Sequence, residues 1–430
     1  MAAGLVGTVL AARLGNAHGA AFALCSQVAA MLFVLFRVVG AGVSVVVAQA
    51  LGAGRRAEAD RTARATLGAG TWIGLACVGL AAGGARPLLR LLNTPPEVLM
   101  LAVPLLQLIA PSLLLDAWNA TLASVLRAHL QPRPTMVINL LMQAVQLLLA
   151  WLLMRGLGAW TGWGLAGWAA ALVLSRCLGL GLLLQAWRER LNLTLLWADS
   201  WRWRGATLAQ VMQIGLPSAG EHIAWRICFL ASVAVVGQLG TVALATHAYT
   251  MQIIGVVMLF GVVTGLSGEI VVGHLVGAGR LHAAHHLVRR ALARGLGATA
   301  LVALAAAVAG PWLLAWFTPD PQIIAAGSTL LWLTVVLETG RTFNLVLINA
   351  LRAMGDVRYP LVAGLASFVI VLAGGSWWLG AHLGYGLVGV WVAYAADEWL
   401  RGLLMWRRWA RRDWLPAARR THRRLRRSVN

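Results

Sequence analysis

Unbroken apolar runs constrain this chain more than any other feature. Leu14–Phe36, Ala65–Ala85, Val98–Leu115, Pro134–Met154 and Gly156–Ser175 contain no Asp, Glu, Lys or Arg. Each approaches or exceeds the ~18–20 apolar residues that span a hydrocarbon core. Ile227–Gly268 and Tyr359–Ala396 are about twice that length, so each must hold two helices joined by a short turn. With 60% hydrophobic and only 11% charged residues, the chain lacks the polar surface a soluble domain of this size requires. The pattern predicts an all-α membrane protein of about twelve transmembrane helices. They are placed near 1–14, 20–51, 59–84, 97–128, 134–155, 163–187, 207–237, 243–275, 285–316, 321–353, 359–380 and 386–408.

The formal charge of +21 comes from 35 basic residues, all of them arginine, set between or after the apolar runs. That placement argues against nucleic-acid binding, which needs a folded polar surface to carry the charge. Counted by side across twelve spans, 27 arginines fall on the side that holds both termini and four on the other. The bias persists without the basic tail at 411–430. Both termini are therefore expected in the cytoplasm of a bacterial inner membrane. The four cysteines lie one per apolar segment without metal-ligand spacing, and read as core residues. No metal site or cofactor is expected, and nothing suggests a cleavable leader.

The chain aligns with itself at an offset of 225. Leu14-Gly15 matches Leu239-Gly240, and Gly52-Ala53-Gly54-Arg55 matches Gly277-Ala278-Gly279-Arg280. Asn119, Leu126, Arg127 and Arg133 match Asn344, Leu351, Arg352 and Arg358. Gly164-Leu165-x-Gly167 matches Gly386-Leu387-x-Gly389 at offset 222. One such match is chance in a Leu/Ala/Gly-rich chain, but a constant offset over a hundred residues is not. Two parallel six-helix repeats follow, at 1–190 and 207–410, with a cytoplasmic linker at 191–206. Such a pair encloses a central cleft about which the halves can rock. Residue 1 corresponds to residue 226, so the first helix reads as truncated by about twenty residues relative to its repeat.

These residues resemble the multidrug and toxic compound extrusion (MATE) family. The resemblance rests on Gln49-x-x-Gly52-Ala53-Gly54-Arg55 and Gly273-His274-x-x-Gly277-Ala278-Gly279-Arg280. It rests further on Gly215-Leu216-Pro217-Ser218 with Glu221, on Glu338-x-Gly340-Arg341-x-x-Asn344, and on Leu351-Arg352-x-x-Gly355-Asp356-x-Arg358-x-Pro360. It implies a two-lobe bundle exporting organic cations in exchange for protons or sodium ions. One departure stands out: where the family's first helix often carries Val-Asp-Thr, this chain has Val6-Gly7-Thr8, without the carboxylate.

Charge at membrane depth costs roughly 2.5–3.5 kcal/mol on insertion scales, so each buried charge needs a reason. The acidic candidates are Asp116, Glu221, Glu269, Glu338 and the pair Asp397-Glu398, with Arg37, Arg176, Arg226 and Arg341 as the basic ones. Glu221 lies one turn beyond Pro217, where a freed carbonyl and the carboxylate could hold a proton or Na⁺; the alternative is a glutamate paired with an arginine. Glu338, Arg341 and Asn344 share one helix face, as either a protonation-gated pair or a static one. Asp116 is the repeat mate of Arg341, and Asn119 that of Asn344, which suggests attraction between opposite charges across the cleft. Glu269 is a second proton-site candidate or an arginine's partner. Asp397-Glu398 reads as a surface pair with Arg401.

Trp118, Trp225 and Phe343 are candidates to stack on a cationic substrate, with plain helix packing as the alternative. Trp160, Trp163, Trp377 and Trp378 fit an interfacial belt. The glycine turns Gly52, Gly54, Arg55 and Gly277, Gly279, Arg280 read as hinge or anchor elements rather than phosphate loops, since no lysine exists for a P-loop. Small organic cations and membrane lipids are the expected partners of a monomer. A flippase of a lipid-linked or anionic precursor, whose cleft would be lined by arginines, is the competing transport reading. No HExxH, nucleophile elbow or paired metal-binding acids support an enzyme.

Overall fold

The computed structural model describes residues 2–92, 94–156, 161–193, 197–202 and 205–427. The long helices are α1 (Ala2–Ala12), α2 (Asn16–Gly52), α3 (Arg56–Gly83), α4 (Pro96–Ala128), α5 (Pro132–Arg155) and α6 (Leu165–Ala186). They continue as α7 (Gly205–Gln238), α8 (Thr241–Gly277), α9 (Leu281–Val308), α10 (Pro321–Ala353), α11 (Arg358–His382) and α12 (Gly386–Ala410). A basic helix α13 (Leu415–Arg427) ends the described chain. No strand occurs among the described residues, and nine of the helices are long and apolar enough to cross a membrane. The expected helix 285–316 is instead broken at Ala309, with a short helix Gly310–Ala315 after it; α3 is followed in the same way by Ala85–Leu91. From Phe368 onward α11 runs in wider i→i+5 turns.

Local chemistry sets the helix ends. Pro96, Pro132 and Pro321 open α4, α5 and α10, where a missing N–H costs nothing and φ is already helical. Asp320 caps α10 by accepting from the Gln322 N–H at 2.9 Å. Residues with left-handed φ follow most of the other helices, and they carry the repeat into the backbone. Gly54 (φ 75°) and Gly279 (φ 73°) are mates at 225, as are Leu130 (φ 59°) and Gly355 (φ 86°). Gly162 and Gly164 (72°, 55°) match Gly384 and Gly386 (75°, 56°) at 222.

The helices resolve into two compact units, residues 1–47 with 56–216, and residues 48–55 with 217–430. In the first unit α3 packs on α4, α5 on α6, and α4 on α6, around a core that includes Phe22, Leu106, Leu113 and Trp168. In the second, α10 is central and packs against α8, α9 and α12. Its core includes Val272, Leu347, Met354, Met405 and Trp409, and a second cluster holds Val236, Phe368, Trp391 and Tyr394.

The two glycine turns meet within the second unit. A Cβ at Gly52 would lie 2.0 Å from the His274 carbonyl oxygen, and one at Gly277 would lie 2.0 Å from that of Gln49. Only glycine permits such a backbone crossing. The Gln49 side chain locks it by donating to the Ala353 carbonyl at 2.8 Å.

Candidate functional site

The charged residues of the second unit gather into two buried groups. In the first, helical spacing puts Glu338, Arg341 and Asn344 on one face of α10 and Asp397, Glu398 and Arg401 on one face of α12. Arg341 bridges Glu338 at 2.5 Å and Glu398 at 3.0 Å. The Asn344 amide donates to the other Glu398 oxygen at 3.0 Å. Arg401 contacts Asp397 at 2.7 Å and Glu398 at 2.8 Å, and stacks over Phe368 at 4.7 Å. Ser367 of α11 donates to Asp397 at 2.6 Å.

Asp397, Glu398 and Arg401 are each at most 6% exposed, so the expected surface pair is a buried cluster. The apolar faces of α10 and α12 bury it, and sequence spacing does not reveal which face is turned inward.

Three carboxylates here face two guanidinia. Glu338 is 1% exposed, and its second oxygen is buried with no hydrogen-bond partner. An orphaned buried carboxylate oxygen in a network one positive charge short is chemically suited to carry a proton or sit beside a small cation.

The second group holds Glu221, Arg352 and Glu269. Arg352 bridges Glu221 at 2.5 Å, and Gly364 leaves room for the Glu221 side chain to pass close to α11. The partner of Glu221 is thus a repeat-motif arginine. Arg352, one of the 27 arginines that the sequence assigns to the side of the termini, is 8% exposed and belongs to the interior. Glu269 is 4% exposed and makes no hydrogen bond or ion pair among the described residues. Two carboxylates again face one guanidinium.

In the first unit, Asp116 pairs with Arg176 at 2.7 Å, off the guanidinium N–H axis. Asp116 and the sequence-matched Arg341 are thus each paired with an opposite charge inside their own unit. Asn119 donates to the Arg176 carbonyl at 3.1 Å, while its own carbonyl oxygen is buried and unpartnered. Arg176 also reaches Gln146 at 3.2 Å, and Arg127 donates to Ser124 at 2.8 Å. These groups line a cavity of about 660 Å³ with Phe22, Phe33 and Trp168 on its apolar wall and Asn139 and Gln143 beside them. Two arginines and one aspartate give this cavity the opposite polarity to the buried groups of the second unit. A Cβ at Gly7 would lie 2.4 Å from Trp168 and 2.6 Å from Phe22, so two rings fill the space a carboxylate would need there.

The aromatic candidates are dispersed. Trp118 donates its N–H to Thr71 at 2.8 Å and does not line the cavity. Phe343 packs between Trp399 and Trp406 at 5.7 and 6.1 Å between ring centroids. Trp225 stacks on Phe229 at 5.2 Å, and Phe229 lies 5.7 Å from Tyr394. Trp163, Trp377 and Trp378 are exposed, as is Arg226. Trp160 and the Arg37 side chain lie outside the described residues.

Asp116–Arg176 and Glu221–Arg352 had no sequence signal linking them, because their members are 60 and 131 residues apart. The one available hint was a lone arginine ending the uncharged run at Arg176.

Long apolar helices together with ionisable groups held at mid-length define a multi-pass membrane transporter rather than an enzyme. Comparison with known proteins specifies the kind. The sequence profile of the MatE family matches residues 1–152 and 217–377, and the chain belongs to this family of MATE transporters. It is 28% identical over 408 residues to the uncharacterized transporter YisQ of Bacillus subtilis, covering 95% of this chain and 90% of that one. It is 28% identical to the probable multidrug resistance protein NorM of Chromobacterium violaceum, covering 94% and 88%. Among solved structures, the MATE transporter VcmN of Vibrio cholerae in its bent form shares the fold, with a TM-score of 0.85 at 19% identity over 98% of this chain and 93% of that one. So does a MOP superfamily transporter of Pyrococcus furiosus, described as having a binding pocket of reverse polarity, with a TM-score of 0.82 at 18% identity over 96% and 92%.

Proposed function

We propose that this chain is a secondary antiporter that exports organic cations in exchange for protons or sodium ions. Its place is a bacterial inner membrane with both termini cytoplasmic, and exchange proceeds by alternating access between the six-helix halves. The multidrug resistance proteins among its relatives support the substrate class. The arginine bias supports the orientation.

The observation that carries the coupling reading is the Glu338 carboxylate. One oxygen is held by Arg341 and the other is buried without a partner, in a network with one more carboxylate than guanidinia. A proton or Na⁺ neutralises that excess. An entering organic cation supplies the same charge, so the two exclude each other, and mutual exclusion at one charge is sufficient for exchange. Glu269, which shares the Arg352 charge with Glu221 and makes no hydrogen bond or ion pair among the described residues, offers a second position of the same kind. Uptake of an ethidium-type dye into energised everted vesicles tests this, comparing wild type with Glu338→Gln and Glu221→Gln. Undiminished dye transport in both variants removes the site.

One observation favours a second reading, export of an anionic or lipid-linked precursor: the cavity of the first unit has Arg127 and Arg176 against a single Asp116. A neighbour in fold is itself described by a binding pocket of reverse polarity. Under this reading an anionic fluorophore is exported by wild type and not by Arg176→Gln, whereas cationic-dye efflux is absent in both.

A further inference from the structure

A second concavity, open to solvent and with cationic groups as the only charged members of its lining, lies away from the charged groups described above. The turn after α2, the turn after α8 and the last helix α13 border about 560 Å³, all within the second unit. Arg55 and Arg280, mates in the repeat, line it together with Arg426 and His422 of α13, and no acidic residue does.

The geometry is built rather than incidental. α13 is held by Ala418 and Leu425, at 0% and 2% exposure. The His422 Nδ1–H donates to the Gly277 carbonyl at 3.1 Å. The His422 ring lies over Gly279, where a Cβ would come within 2.8 Å of it. Thr421 is equally close above Gly355, at 2.9 Å from where a Cβ would sit. Glycines in the two turns thus leave room for the His422 and Thr421 side chains of α13. Its opposite face turns Arg419, Arg420 and Arg423 outward.

The backbone N–H groups of Ala278, Gly279 and Arg280 are committed to the His274, Val276 and Leu275 carbonyls that close α8. Recognition in this cavity thus falls to side chains, and the side chains are guanidinia. Guanidinium forks match tetrahedral oxyanions in bidentate fashion, and basic pockets next to membrane helices on the cytoplasmic side face a leaflet rich in anionic headgroups.

We propose that this cavity is a binding site for a phosphate-bearing anion, read by Arg55, Arg280 and Arg426. An acidic phospholipid headgroup and free phosphate are two sources of that one chemistry. The proposal is independent of what the protein transports.

The test uses the purified full chain and measures binding by tryptophan-fluorescence unfolding and native mass spectrometry. Nanodiscs of phosphatidylglycerol are compared with nanodiscs of phosphatidylcholine, and inorganic phosphate is titrated separately. The pocket pair Arg280→Gln/Arg426→Gln is set against the outward-facing pair Arg419→Gln/Arg423→Gln, which removes the same charge. Phosphatidylglycerol is expected to stabilise and stay bound to wild type, with at least tenfold weaker binding in the pocket pair and less than twofold in the outer pair. If inorganic phosphate alone protects wild type with the same dependence, the source is free phosphate; if only the lipid acts, it is the headgroup. Equal weakening in the two pairs, or none in either, overturns the proposal. Arg280→Lys keeps the charge and removes the fork, so it gives an independent reading where the pocket pair fails to fold. Weakening of threefold or more supports the guanidinium assignment, and wild-type affinity refutes it.

Discussion

Glu338 and Arg341 are joined at 2.5 Å, yet their removal should have unequal consequences. Arg341 serves two carboxylates, Glu338 and Glu398, while Arg401 serves Glu398 and Asp397. Replacing Arg341 with glutamine leaves three buried acids around one guanidinium. Leaving buried charge without its partner costs about 3–5 kcal/mol. At an effective dielectric of 20 and a separation of ~4 Å, the lost attraction is about 4 kcal/mol, of the same size. Glu338→Gln instead balances two acids with two guanidinia, and its amide oxygen can still accept from Arg341. Its stability should stay within about 1 kcal/mol of wild type, the ordinary worth of one hydrogen bond. The double variant Glu338→Gln/Arg341→Gln should recover part of the Arg341 loss, because one of the stranded acids is gone. Thermal unfolding in detergent reads the three variants, and dye uptake into everted vesicles reads coupling, which only wild type should show. If Glu338→Gln destabilises the protein as much as Arg341→Gln does, Glu338 is a counter-charge the fold requires, and the argument from excess charge fails.

Three further outcomes follow from single positions. Leu130 sits in the left-handed region and is 54% exposed, where an L side chain costs roughly 1–2 kcal/mol; Leu130→Gly should raise the unfolding temperature, whereas a fall would show that the side chain outweighs the strain. Gly277→Ala puts a Cβ 2.0 Å from the Gln49 carbonyl, an atom that cannot swing aside; a loss of about 1–3 kcal/mol in denaturant unfolding is expected, and a neutral result would contradict the crossing. Gly7→Asp, which restores the family's acidic pattern, meets Trp168 and Phe22; it should destabilise the protein, and Trp168→Ala in the same chain should relieve part of that loss, with additive effects arguing that the rings do not fill the slot.

Part of the site could be read directly from spacing. Glu338, Arg341 and Asn344 had to share a face because helical geometry brings positions three apart together. The role of Asp397, Glu398 and Arg401 was not readable in this way. Their i+1 and i+4 intervals fit an exposed pair as well as a buried one, and burial was decided by α12 packing against α10. Repeat symmetry did not disclose the partners: Asp116 corresponds to Arg341 in sequence, and each residue pairs with an opposite charge inside its own unit, Arg176 and Glu338 respectively. The interior position of Arg352 was hidden because an arginine at a helix end reads as a membrane-surface residue until a carboxylate is found beside it.

The membrane-spanning character, the helix count, the two-fold internal repeat and the family were all determined by the linear sequence. They depend on run length, apolar content and constant offset, which exist before folding. Which acid meets which arginine, which carboxylate oxygen is left alone, and why Gly52, Gly277 and Gly279 must be glycine were settled only by tertiary structure. Those depend on distances of a few ångströms between residues far apart in the chain, and an electrostatic or steric contact acts through space without regard to sequence separation.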